Sequence, residues 1–163
     1  MRNQDSTSND SRNSSQAGYK SLFFYGGRQY RRLPNGLLRG PDGGLWRKIE
    51  ATTTAYVAEA AQCGSDYLNT ATMTRAREVY GIAADPRAIP YGTTLHVAGY
   101  GVFPVDDTGG AMRQAWRRSR TIHLDLRIPH RRYDGVIRST AECNQIAMRH
   151  GIQRNRIILL RIE

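Results

Sequence analysis

The sequence predicts a mainly β protein closed as a barrel, with one or two short helices. Two observations lead there. Short apolar segments rich in Val, Ile, Leu and Thr recur through the later two-thirds of the chain, and glycine and proline turn signals separate them. Helical signatures are clear in only one stretch, near the C-terminus.

Residues 1–18 are almost devoid of large apolar side chains and read as a disordered tail. Residues 19–48 read as a Gly/Arg-rich N-terminal extension, with the apolar run Leu22-Phe23-Phe24-Tyr25 and turn signals at Gly26-Gly27, Pro34-Asn35-Gly36 and Gly40-Pro41-Asp42-Gly43-Gly44. The barrel domain is assigned to 49–163. Its first strand falls at 49–57, where threonines are flanked by apolar residues. A mixed stretch over 58–80 follows, with a loop at 63–66 and a helical turn at 74–80. Strands are expected at 82–84, 93–97, 101–106 and 121–126. The link over 112–120 is read as a loop. Ser139-Thr140-Ala141-Glu142 is a capping box that opens a helix ending at Gly151. Residues 156–162 form a closing strand buried on both sides.

A length of 163 residues suits one core, and the formal net charge is +10. Arg113, Arg117, Arg118 and Arg120, then Arg127, Arg131, Arg132 and Arg138, form clusters that would attract anionic polymers, either nucleic acid or cell-wall carboxylates. A solvated basic face with no dedicated partner reads equally well. Leu22–Tyr25 is too short for a membrane span or a signal-peptide core, so neither a transmembrane segment nor an export signal is readable. Cys63 and Cys143 permit one disulfide, but Cys143 shares a helix face with Ile146, Ala147 and His150, which favours a buried free thiol.

The chemistry points to three aspartates. Asp107 ends an apolar run and opens Asp107-Thr108-Gly109-Gly110-Ala111, Asp85 sits in Ile82-Ala83-Ala84-Asp85-Pro86, and Asp125 sits in Ile122-His123-Leu124-Asp125-Leu126. A lone charge in such surroundings is costly. Any one of them alone reads as a turn or strand-end cap. Three converging at one barrel end would repel, so one would hold a proton near neutral pH and be placed to act as a general acid. Asp106 beside Asp107 leaves it open which of the two faces the site. The Gly109-Gly110 pair would let a glycan lie against the backbone, as substrate-binding positions.

The stretch Gly81-Ile82-Ala83-Ala84-Asp85-Pro86-Arg87-Ala88-Ile89-Pro90-Tyr91-Gly92-Thr93, then Gly99-Tyr100-Gly101, Asp107-Thr108-Gly109-Gly110-Ala111 and Leu124-Asp125-Leu126, resembles the 3D (Asp-Asp-Asp) domain. That domain occurs in bacterial cell-wall proteins, among them stationary-phase survival muralytic enzymes, and corresponds to the catalytic barrel of membrane-bound lytic transglycosylase A. The resemblance starts near Thr52-Thr53-Thr54-Ala55-Tyr56 and runs to the C-terminus. It implies a six-stranded double-psi β-barrel. It also implies a lytic transglycosylase that cleaves the MurNAc–GlcNAc bond and leaves a 1,6-anhydro-muramyl product, with no cofactor or metal. Peptidoglycan glycan strands would be the partner, the protein a monomer, and its location the cell wall, periplasm or outer membrane. By the same resemblance Asp125 is the general acid/base, Asp85 and Asp107 shape its pKa and the substrate contacts, and Thr54 lines the groove. Family members join the second and third aspartates by a short lysine-glycine turn, where this chain has the longer 112–120. Some carry a lysine in the first loop, where Arg75 would have to substitute.

Other classes compete. Asp-Thr-Gly also marks aspartic proteases, which would need two copies of this chain. His123, Asp125 and His130 could be drawn as a metal site, although strand-lining histidines explain them more simply. A non-catalytic glycan- or polyanion-binding barrel is the main alternative, since fold does not fix function.

Overall fold

A computed structural model describes residues 21–163; the tail expected over 1–18 lies outside the described residues. Strands β1 (Leu22–Tyr25) and β2 (Arg28–Arg32) form an antiparallel hairpin. Its two-residue turn is Gly26-Gly27, with φ of 53° and 75°, the left-handed conformation that short hairpin loops require. β3 (Leu38–Arg39) pairs next, then β4 (Leu45–Tyr56). The Gly/Arg-rich extension is therefore a meander continuous with the barrel's longest strand. Its Tyr30 and Leu38 are buried against Trp46 and Leu159.

The remaining elements are α1 (Ala60–Cys63), β5 (Ile82–Ala83), β6 (Thr94–Val97), β7 (Gly101–Asp107), α2 (Gly110–Ser119), β8 (His123–Arg127), α3 (Thr140–His150) and β9 (Gln153–Arg161). Strand order runs β4-β8-β5-β7-β6-β9, and β9 returns to β4, so six strands close a barrel. β4–β8 and β5–β7 are parallel, the other barrel pairs antiparallel. The fold is thus the double-psi barrel that the sequence implied. Ile82, Leu95, Val105, Leu124, Leu126 and Ile158 fill its interior.

Strand alternation then decides the site. Leu124 and Leu126 point into the core, which turns His123 and Asp125 to the outer face.

Several local expectations change. The link over 112–120 is helical: Met112, Ala115 and Trp116 recur at helical spacing, and α2 packs against β8. The helical turn expected over 74–80 shrinks to one hydrogen-bonded turn, Glu78 N–H to Arg75 O. β9 is buried on both sides only at Ile158 and Leu159, while Ile157 is 48% exposed. Cys63 and Cys143 are both free, with Cys143 packed on Val57 and Ile128. The capping box of α3 is present in both directions.

Candidate functional site

The parallel register of β4 and β8 sets Thr54 directly opposite Asp125. The Thr54 hydroxyl donates to Asp125 Oδ1 at 2.9 Å, and its oxygen lies 2.7 Å from His123 Nε2. With the Thr54 proton given to an ionised Asp125, His123 must donate from Nε2, so the three groups form a directed chain ending on the carboxylate. Burial holds the His123 imidazole below the ordinary histidine range, which keeps it neutral at neutral pH. Burial also raises Asp125 to about 6; the Thr54 hydrogen bond opposes this, and the charge of Asp107 adds to it.

Asp107 reaches the same cleft from the end of β7. Tyr56 Oη donates to its Oδ2 at 2.8 Å, and the Ala71 and Thr108 N–H groups donate to Oδ1, both at 2.9 Å. Its neighbour Asp106 turns the other way, into the interior, where Arg127 grips both of its oxygens at 2.9 and 2.5 Å. Strand alternation therefore resolves the Asp106/Asp107 ambiguity. Arg127 is fully buried and also donates to Tyr56 Oη at 3.1 Å. An inner ion pair thus orients the tyrosine that orients the outer carboxylate. Gly81 makes room for it, because a Cβ there would land on the Arg127 guanidinium and the Asp106 carboxylate.

Thr54, Tyr56, Asp107, Gly109, Gly110 and Asp125 line one cleft of about 550 Å³. Five of the six residues expected at the site are thus brought together. The sixth, Asp85, does not line the cleft. It is buried and accepts from Arg87 Nε at 3.0 and 3.1 Å and from Arg87 Nη2 at 2.5 Å, and this guanidinium holds its carboxyl below the usual aspartate range. Mutual repulsion of three carboxylates is accordingly not what protonates this site; burial of Asp125 is. Arg75 is also elsewhere, exposed and paired with Glu78.

Sequence reasoning missed the supporting roles of Tyr56, His123 and Arg127, and the place of Cys63 and Arg113 in the cleft wall. Tyr56 was legible in principle: it lies two residues beyond Thr54 and so shares its strand face. Arg127 carried no local signal, because its partner lies across the barrel.

Asp107 and Asp125 thus share one outer cleft of the double-psi barrel. The family described as the 3D domain matches residues 80–118, the stretch from Tyr80 through β5, β6 and β7 and most of α2. The match includes Asp85, Asp107, Gly109 and Gly110 and ends before Asp125. No curated protein matches the chain. The 3D domain is associated with peptidoglycan-related lytic activity, which is compatible with a cell-wall enzyme. Among the described residues no helix is long and apolar enough to cross a membrane.

Proposed function

We propose that this protein is a lytic transglycosylase acting on the MurNAc–GlcNAc bond of peptidoglycan strands. The observation that carries the reading is Asp125, a carboxyl raised to about 6 in a groove and fixed by Thr54. In its acid form Asp125 protonates the departing O4 as the C1–O4 bond breaks. The C6 hydroxyl of the same muramyl residue then bonds to C1 and returns its proton to Asp125, so no water is consumed. Asp107 faces the positive character that develops at C1. Gly109 and Gly110 leave the cleft wall open to the glycan. A role at the cell wall follows from this substrate.

The test is digestion of purified peptidoglycan followed by mass spectrometry of the soluble products. Anhydro-muropeptides support the reading, hydrated muropeptides replace it with hydrolysis, and intact sacculi carrying bound protein replace it with a binding module. The binding alternative draws support from α2, whose exposed Arg113, Arg117 and Arg118 form no ion pair among the described residues. If these charges only steer the polymer, Arg117→Ser with Arg118→Ser weakens sacculus binding at low salt and leaves it unchanged at high salt.

A further inference from the structure

A second cavity, of about 590 Å³, shares no lining residue with the carboxylate cleft. It opens between the β6–β7 turn, the segment after β8, the C-terminal half of α3 and the start of β9. One wall is basic: Arg138, Arg149, His150 and Arg156 line it, and no carboxylate does. Arg156 is held rigidly, donating to Thr53 Oγ1 at 3.2 Å and to Ala98 O at 2.7 Å, and His150 Nε2 lies 2.9 Å from the same threonine oxygen. The Arg149 side chain has no hydrogen-bond or ion-pair partner among the described residues. Three guanidinium groups gathered in a concave site without counter-charge create a focused positive potential, and their planar forks match carboxylate and phosphate oxygens.

An aromatic cluster adjoins this basic wall, with Arg138 Nη2 3.5 Å from Tyr80 Oη. Tyr133 stacks on Tyr80 with centroids 4.3 Å apart and planes 5° from parallel, and Tyr80 stacks in turn on Phe103 at 5.1 Å. Phe103 also stacks on Tyr133 at 5.8 Å, so the three rings form a cluster, and its member Tyr133 is 71% exposed and lines the cavity. An exposed tyrosine anchored by a ring stack is a pre-formed platform for the flat apolar face of a small ring, and the volume is that of a small-molecule site.

We propose that this pocket is a separate binding site for an anionic sugar: a pyranose ring laid on Tyr133, with its carboxylate or phosphate held by Arg149 and Arg156. The site is independent of the cleavage reading and stands whichever products the cleft releases. The experiment is an amide NMR titration of the full chain with three probes: N-acetylmuramic acid for the carboxylate, glucose 6-phosphate for the phosphate, and uncharged N-acetylglucosamine. Saturable shifts centred on Tyr133, Arg149 and His150 are expected with at least one charged probe, and that probe identifies the anion. The uncharged sugar should bind about tenfold more weakly or worse. Arg149→Gln, at an exposed position, should weaken the charged probe about tenfold with melting temperature unchanged, and Tyr133→Ala, which also removes the stack on Tyr80, should weaken it about tenfold in a chain that still folds. Shifts centred on Asp107 and Asp125, equal binding of the uncharged sugar, unaltered affinity in both variants, or no saturable shift with either charged probe would each overturn the proposal.

Discussion

Asp125 has a value near 6 in the folded chain against an ordinary 3.8, so folding takes up a proton between those values. Its contribution to stability is therefore favourable at low pH and is lost as pH rises through about 6, at a cost on the order of 3 kcal/mol once ionised. Asp125→Asn removes that cost together with the acid. Turnover should fall by about 10²–10⁴-fold, while the melting temperature should rise relative to the parent above pH 6 and match it near pH 4. Near-normal turnover in the folded variant would move the acid elsewhere, Asp107 first. In the parent, glycan release should decline as pH rises through about 6. Tyr56→Phe tests the inner support: Asp107 loses its Oδ2 donor and Arg127 an acceptor, and turnover should drop about tenfold with an altered pH profile. Unchanged kinetics would reduce Tyr56 to packing. At this scale the sequence showed much of the site. Asp107, Asp125 and Thr54 stand in recognisable local motifs. The roles of Tyr56, His123 and Arg127 depend on which strands are neighbours, and a single motif does not state that. Asp85 lies off the cleft, and in sequence a buried aspartate beside a turn looks alike whether it faces a cleft or an arginine two residues on.

At the scale of elements, α2 is the main departure from expectation. Its run of arginines and the family's short turn at this place suggested a loop, yet Met112, Ala115 and Trp116 already carried the spacing of a helix with one face on a barrel. Gly110 opens this helix and lines the cleft, and a Cβ there would meet nothing within 4 Å. Gly110→Ala should therefore fold at least as well as the parent, because alanine is the better helix residue by about 1 kcal/mol. If the glycan passes over this glycine, the same methyl group should raise KM several-fold with kcat less affected. An unchanged KM, measured on soluble glycan strands, would place the glycan elsewhere. β4 starts four residues and β9 three residues before the expected positions, whereas β5 to β8 were legible to within a residue or two because apolar alternation and turn residues agree there. The meander was not, although Gly26-Gly27 between β1 and β2 is a hairpin signal. It is short, and it buries only Tyr30 and Leu38 fully.

For the whole molecule, the meander matters more than its composition suggests. Tyr30 Oη lies 2.6 Å from His96 Nδ1, Tyr25 Oη donates to Ile157 O at 2.6 Å and accepts from the Ala98 N–H, and Trp46 and Leu159 complete a second core beneath. A chain beginning at residue 45 would expose all of these. Its melting temperature should fall by well over 10 °C, since several buried aromatic contacts are lost together; a shift of a degree or two in a thermal scan would show that the barrel stands alone. Residues 156–162 were legible as a closing strand, but their partners β4 and β6 were not, because β4 and β9 are paired across almost the whole length of the domain.

That pairing sets a rule for synthesis. β9 completes both β4 and β6, so every nascent chain that has not reached residue 153 carries two sheet edges without partners. The long-range closure is also slow to form. A product cut short within β9 would therefore be prone to join edge to edge with its own copies. The final strand acts as a latch, and the cell gains nothing from this protein until it is fastened.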